Sequence, residues 1–286
     1  MAKKFKILQK TVIAPEINRM EVYAPLIAKK AQAGQFVILR VDELGERFPL
    51  TLVDWDPAKG TIALVFQEVG VSTKKLGRLK AGDYIEDIVG PLGNPTDIRR
   101  FGSVAVVGGG VGAALIYPWI KALKKADNYV LTILGARNFR LLLFEDELKK
   151  LSNEIYVSTD DGSRGIKGFT SEVLRMLIEN GRRFDLVMAA GPVQMMKAVA
   201  EVTRPYNMRT IVSLNPIMVD GTGMCGSCRI MVGGEVKFAC VDGPEFDAHK
   251  VDFNDLINRL NIYKDEETRA ARIFEDRQKN AFKKDA

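Results

Sequence analysis

The chain has 286 residues, nearly half of them apolar and about a quarter charged, the balance of a globular protein with room for two ordinary domains and a small module. Its 42 basic and 36 acidic side chains leave a net charge of +6 without a basic stripe interleaved with aromatics, which argues against nucleic-acid binding. No apolar run approaches the ~20 residues of a membrane span, the Met-Ala-Lys-Lys start lacks the apolar region of a signal peptide, and three cysteines gathered in one segment suit a reducing compartment. A cytoplasmic protein with no membrane partner is therefore expected.

The first 98 residues read as short β-prone runs separated by turn signals, at 4–8, 19–23, 35–41, 49–53, 61–66 and 83–89. Six runs at this spacing predict a closed, six-stranded antiparallel barrel. In that barrel, Arg47-Phe48-Pro49-Leu50-Thr51 and Gly70-Val71-Ser72-Thr73 each join a strand end to a hydroxyl and a basic residue. Such groups can hold a diphosphate and the edge of a flat heteroaromatic ring, although each stretch taken alone also reads as an ordinary hairpin end.

From Ser103 the pattern changes. Residues 104–107 form a continuous apolar run, a glycine turn follows, and 113–125 have helical periodicity. Strands at 129–134 and 155–158, a helix at 171–179, a strand at 186–189, a helix at 193–202 and a strand at 210–213 continue the alternation. This predicts a parallel-sheet, nucleotide-binding α/β domain over 99–213.

Gly108, Gly110 and Ala113 fit G-x-G-x-x-[G/A] between a strand and a helix, where Gly108, Gly110, Val111 and Gly112 can bring a pyrophosphate onto helix N–H groups. A structural glycine turn is the plainer reading. The acidic residue usual about twenty positions later is missing, since the next strand ends in Gly135-Ala136-Arg137-Asn138. Ribose recognition therefore differs from the standard pattern, or a 2′-phosphate meets Arg137 or Arg140, and NADH and NADPH both stay open, with NAD(H) favoured over NADP(H). Gly191 and Pro192 mark a second strand-to-helix turn on the same sheet, and Asp160 and Asp161 follow a third strand, where they either reach nucleotide hydroxyls or form a solvated turn. His249, with no matched nucleophile or base, reads as structural.

Asp220, Cys225, Cys228 and Cys240 have the plant-type iron–sulfur spacing C-x4-C-x2-C…C with an aspartate in the first place. Between the last two cysteines, two β-prone runs flank Gly233-Gly234, and a hairpin there would return Cys240 to the side of Cys228. A zinc knuckle, a redox dithiol and inert cysteines are the competing readings. Gly221, Gly223 and Gly226 favour a cluster, because a flexible backbone can turn its amides toward sulfides. This segment spans 214–247. Residues 248–286 form a C-terminal region with Leu256, Ile257, Leu260 and Tyr263 at helical spacing, then a highly charged stretch that reads either as a solvated helix or as a partner-docking surface.

Taken in order, Arg-x-Pro-Leu-Thr, Gly-x-Ser-Thr, Val-Gly-Gly-Gly-Val-Gly, Thr-Asp-Asp-Gly-Ser, Ala-Gly-Pro-x-x-Met-Met and the late cysteine run resemble the electron-transfer subunits of dihydroorotate dehydrogenase, within the ferredoxin–NADP reductase superfamily. The resemblance covers nearly the whole chain. The stretches from Ser213 to Cys228 and from Val241 to His249 are similar to one branch in particular, the small (alpha) subunits of NADH-dependent reduced ferredoxin:NADP oxidoreductases, also called sulfide dehydrogenase beta subunits. It implies FAD in the barrel, held by Arg47, Pro49, Leu50 and Thr51 with Val65, Phe66, Gln67, Gly70, Ser72 and Thr73. It further implies a nicotinamide dinucleotide on the sheet and a 2Fe-2S cluster on Asp220 and the three cysteines. A larger flavoprotein partner with FAD and 4Fe-4S clusters is implied too, linking this chain to ferredoxin by electron bifurcation. The dihydroorotate members carry four cysteines, so Asp220 is a departure that favours the bifurcating branch.

Overall fold

The computed structural model describes residues 5–284; the Met-Ala-Lys-Lys start lies outside the described residues. Seven strands form the N-terminal sheet: β1 (Phe5–Ala14), β2 (Ile17–Tyr23), β3 (Phe36–Arg40), β4 (Arg47–Asp56), β5 (Thr61–Gln67), β6 (Tyr84–Ile85) and β7 (Asp87–Leu92), in the order β6-β1-β2-β5-β4-β3-β7. All six expected runs are present. The sixth is divided at Glu86, so that β6 pairs with β1 and β7 with β3, and one continuous stretch of chain closes the sheet into a near-complete barrel. Its core is built from alternate β-branched and aliphatic residues such as Ile7, Met20, Val22, Leu39, Leu52, Ile62 and Leu64. Two helices join the strands, α1 (Pro25–Ala28) and α2 (Val71–Arg78).

The second sheet has the order β11-β10-β9-β8-β12-β13-β16, from β8 (Ser103–Gly109), β9 (Tyr129–Ala136), β10 (Glu154–Thr159), β11 (Ile166–Lys167), β12 (Leu186–Ala190), β13 (Thr210–Ser213) and β16 (Glu245–Asp247). All its pairs are parallel except β13–β16. The crossovers are α3 (Gly112–Lys125), α4 (Glu145–Leu151), α5 (Thr170–Glu179) and α6 (Val193–Thr203). In α3, Ala113, Ile116, Trp119, Ile120 and Leu123 bury one stripe at i, i+3, i+4 spacing. Helix α4 is additional to the expected elements, and parallel pairing of β9 and β10 calls for such a crossover.

Beyond β13 the chain forms the predicted hairpin, β14 (Arg229–Val232) and β15 (Glu235–Phe238), about Gly233-Gly234, and then α7 (Ala239–Asp242). Ile230, Ala239 and Phe246 join the same hydrophobic cluster as the sheet residues Val187, Val212 and Leu131. The hairpin segment therefore shares its core with the nucleotide domain, and β16 completes that domain's sheet. Helices α8 (Phe253–Leu260) and α9 (Lys264–Lys284) end the chain, α9 lying against α2 through Phe274 under Arg78 and an ion pair from Lys74 to Glu275. Among the described residues no helix is long and apolar enough to cross a membrane.

Barrel and sheet meet in one apolar cluster in which Trp119 of α3 packs with Ala33, Val53 and Val65 of the barrel. The linker over 93–97 is fastened to the returning segment over 241–245. Asn94 donates from its amide to Gly243 O at 2.7 Å and from its side chain to Val241 O at 3.1 Å. The Thr96 hydroxyl donates to the Glu245 carboxylate, and the Trp119 indole N–H, buried and without another partner, is directed at the same group. Part of Glu245 still reaches solvent, yet protein surrounds its carboxyl on most sides, and this burial pushes its pKa up to about 7.

Candidate functional site

Strand register sets the nucleotide crevice. Ala190 pairs with Gly108, Gly109 with Gly135, and Ala136 with Thr159, so the residues that follow these strands come out side by side at one edge of the sheet. Those residues are Gly110, Arg137, Asp160 and Gly191. The edge is the carboxyl end of parallel strands, where open α/β sheets take ligands. Helices α3 and α6 both begin there without a side-chain cap, after Val111 and Pro192; in α3 the Ala113 and Ala114 amides turn back to Gly110 O and Val111 O, which leaves the Gly112 N–H and the first N–H groups of α6 available to an anion.

The glycines divide by role. A Cβ on Gly108 would lie 2.6 Å from Ile116 Cδ1, and one on Gly112 would lie 2.2 Å from Ala190 O, so these two permit close strand–helix and turn–turn packing. Gly110, at φ +56°, faces open space on its Cα side, while its own N–H donates to Gly135 O at 3.0 Å. Met195, the first methionine of the Met-Met in the second turn, packs against Gly109 and Gly191. Asp161 accepts from the Ser163 hydroxyl and amide, which hold its carboxylate below the usual range.

In the barrel the second cleft comes from a divergence of strands. Residues 47–51 of β4 pair only with β3, from Arg47 opposite Arg40 to Thr51 opposite Phe36, while Val65, Phe66 and Gln67 of β5 pair with Arg19, Asn18 and Ile17 of β2. Pairing between β4 and β5 begins only at Leu52–Leu64. The wall therefore splays open between Arg47, Pro49, Leu50 and Thr51 on one side and residues 65–67 on the other. The Val65 and Phe66 side chains are buried in the core, so their main chain is what this cleft offers to a ligand.

Ser72 and Thr73, read from the sequence as part of a strand end, stand instead in the first turn of α2. Thr73 Oγ1 accepts from the Gly70 N–H at 3.0 Å and Ser72 Oγ donates to Glu46 at 3.0 Å. The signal was legible: Gly70 as N-cap, Thr73 three residues on, and Leu76 and Leu79 at helical spacing. Arg47 is paired with Asp87 at 3.3 Å.

Of the four expected ligands in the cysteine segment, Cys228 and Cys240 stand side by side, and Asp220 is tied to the main chain of Cys225. Cys228 and Cys240 are buried with sulfurs 3.2 Å apart, as the hairpin requires. Asp220 accepts the amides of Thr222 at 2.8 Å and Cys225 at 2.9 Å, and these bonds, the Thr222 one foremost, keep its carboxylate ionised below the usual range. Cys225 is exposed, and among the described residues no three metal-ligating side chains converge on one point.

The donor set nevertheless fits an iron–sulfur group. Burial, with Cys228 beside it, pushes the Cys240 thiol up to about 12, while the Gly223 amide is directed at its sulfur. The loop turns at Gly221, Gly223 and Gly226, at φ +76°, +84° and +69°, where side chains are disfavoured. Asp220 spends two of its roughly four acceptor positions on amides and keeps the others. A Cβ on Gly221 would lie 2.8 Å from Ile38 Cγ1 and 2.6 Å from Leu92 Cδ1, so the loop rests directly on the barrel. Ile38 is the partner of Pro49 in the β3–β4 register.

Comparison with known proteins accounts for this combination. Residues 215–252 match the iron–sulfur cluster binding domain of dihydroorotate dehydrogenase B, and residues 106–201 match the oxidoreductase NAD-binding domain. A Thermotoga maritima homolog of the dihydroorotate dehydrogenase B (NAD(+)) electron transfer subunit is 47% identical over 262 residues, 92% of each chain. The chain belongs to the dihydroorotate dehydrogenase B electron-transfer subunit family. The Desulforamulus reducens subunit of that name is 34% identical over 88% of this chain and 99% of its own. Among solved structures, a chain of NADH-dependent reduced ferredoxin-NADP oxidoreductase, described in terms of flavin-based electron bifurcation, superposes with a TM-score of 0.90 at 44% identity over 96% of this chain and 99% of its own. Phthalate dioxygenase reductase, at 18% identity and a TM-score of 0.58, shares the fold. This family member thus carries the barrel, NAD-binding and iron–sulfur parts of an oxidoreductase subunit.

His249, outside these sites, is bonded to Thr203 Oγ1 at 2.9 Å, and burial holds its pKa below the ordinary value. It ties β13 and α6 together through Thr210 and Thr203.

Proposed function

We propose that this chain is the small, NADH-oxidising subunit of a bifurcating complex of the NADH-dependent reduced ferredoxin-NADP oxidoreductase type. Arg47, Pro49, Leu50, Thr51 and the main chain of 65–67 hold the flavin, with its diphosphate at Gly70, Ser72 and Thr73. Gly110, Val111, Gly112, Gly191 and Pro192 receive the pyrophosphate of the dinucleotide, NAD(H) in preference to NADP(H), with Arg137, Asp160 and Asp161 toward its sugars. Asp220, Cys225, Cys228 and Cys240 hold a 2Fe-2S cluster. When bound, FAD and the cluster supply the change from hydride transfer to single-electron transfer.

The chain's own residues bind and orient these groups. The observation that carries the reading is the contact of Gly221 with Ile38 and Leu92, which sets the iron–sulfur loop one strand from the splayed cleft. Around the loop, Val219, Met224 and Val241 are exposed, Met224 at 88%. This apolar rim is suited to a larger flavoprotein subunit with FAD and 4Fe-4S clusters, through which ferredoxin and NADP are reached in the cytoplasm. Asp220, in place of a fourth thiolate, favours that complex over a dihydroorotate dehydrogenase.

Anaerobic purification with flavin, iron and sulfide analysis tests this. Stoichiometric FAD, equal iron and sulfide, and bleaching of the flavin by NADH are expected; a colourless protein refutes it. The co-purifying chain separates the two kinds of complex.

A further inference from the structure

Behind the iron–sulfur loop, Arg259 of α8 donates from Nη2 to the carbonyl of Ser227 at 3.3 Å. Ser227 lies between Cys225 and Cys228, inside the short chelate loop. The Arg259 Nε–H is buried without a partner, and among the described residues no carboxylate pairs with this guanidinium. It forms one wall of a small cavity of about 60 Å³ whose other walls include Pro216, Ile217, Leu256, Leu260 and Tyr263. Arg259 is half-buried, and on the side where its guanidinium faces these apolar walls its charge is less screened than in open water.

We propose that Arg259 is a positioning residue for the iron–sulfur segment, holding the Cys225–Cys228 loop by its Ser227 carbonyl and placing behind it a fixed positive charge that raises the cluster's reduction potential. This rests on the assignment of a cluster to that segment. Addition of one electron makes the cluster more negative by one charge, and a nearby fixed cation stabilises the reduced form relative to the oxidised one. The carbonyl contact orients the loop; the charge sets the potential.

The experiment is an EPR-monitored redox titration of the full chain, wild type against Arg259→Gln and Arg259→Lys, after iron and sulfide analysis. Arg259→Gln is expected to lower the reduction equilibrium constant about tenfold, 59 mV for one electron, with Arg259→Lys within about twofold of the wild type. A Gln variant that titrates with the wild type, or a Lys variant that shifts as far as Gln, overturns the proposal. If Gln takes up no iron while Lys loads normally, the requirement for a cation at the loop is upheld; loss in both overturns it. Wild-type protein that takes up no iron and sulfide refutes the cluster assignment instead.

Discussion

Glu245→Gln isolates the effect of a carboxyl at the domain seam. Unfolded, a glutamate titrates near 4.5; folded, Glu245 does so at about 7, because burial disfavours its charged form. Between those values the folded protein keeps a proton that the unfolded chain has released. Stability therefore falls as pH rises through this window, by about 1.4 kcal/mol per pH unit and about 3 kcal/mol in all, and is flat above it. Glutamine reproduces the neutral acid's shape and can still accept from the Thr96 hydroxyl. The variant should match the wild type near pH 4.5 and exceed it by about 2–3 kcal/mol at pH 8. Urea unfolding followed by tryptophan emission reports on this seam, since Trp119 packs there. An equal pH slope in both proteins, or a variant less stable than the wild type at pH 8, would refute the reasoning.

Gly112→Ala places a methyl group 2.2 Å from Ala190 O, a backbone atom that cannot swing aside, so it should cost about 1–3 kcal/mol by thermal unfolding and weaken NADH binding. Cys228→Ser should abolish the cluster's EPR signal while NADH still reduces the flavin in a stopped-flow trace; unchanged transfer to one-electron acceptors would count against the assigned route. Asp220→Ala removes the acceptor of the Thr222 and Cys225 amides and should destabilise the cluster or shift its spectrum and potential, and identical values would show that Asp220 is no ligand. In metal-free protein at pH 8, iodoacetamide should modify the exposed Cys225 well before Cys240, whose thiol is buried and stays protonated; peptide mapping showing the reverse order would contradict the burial seen at this loop.

Much of this was legible in the sequence where one periodicity governed. The alternation over 103–213 announced the parallel sheet, and Gly233-Gly234 between two β-prone runs announced the hairpin that brings Cys228 to Cys240. Division of the last barrel run was not legible, because it depends on two different partner strands claiming residues on either side of Glu86. The splayed cleft was equally hidden: Arg47–Thr51 stood out as a motif, but its separation from 65–67 is a matter of register. Arg259 and Glu245 lie far in sequence from their partners, Ser227 and Thr96, and carry no local pattern that marks them. For Gly108 and Gly112 the motif was right, while only packing reveals that a side chain at either would collide with Ile116 or Ala190, whereas Gly110 has open space beside it.

Fastening of the 93–97 linker to the 241–245 segment bears on how such a chain can be rebuilt. The stretch that leaves the barrel and the stretch that follows Cys240 hold each other through Asn94 and Thr96. Barrel, sheet and iron–sulfur segment are therefore not beads on a string that recombine at their sequence borders. A chimera that exchanges the cysteine segment between relatives should carry its matching linker with it, and the natural unit of exchange is a discontinuous one, made of two pieces some 150 residues apart.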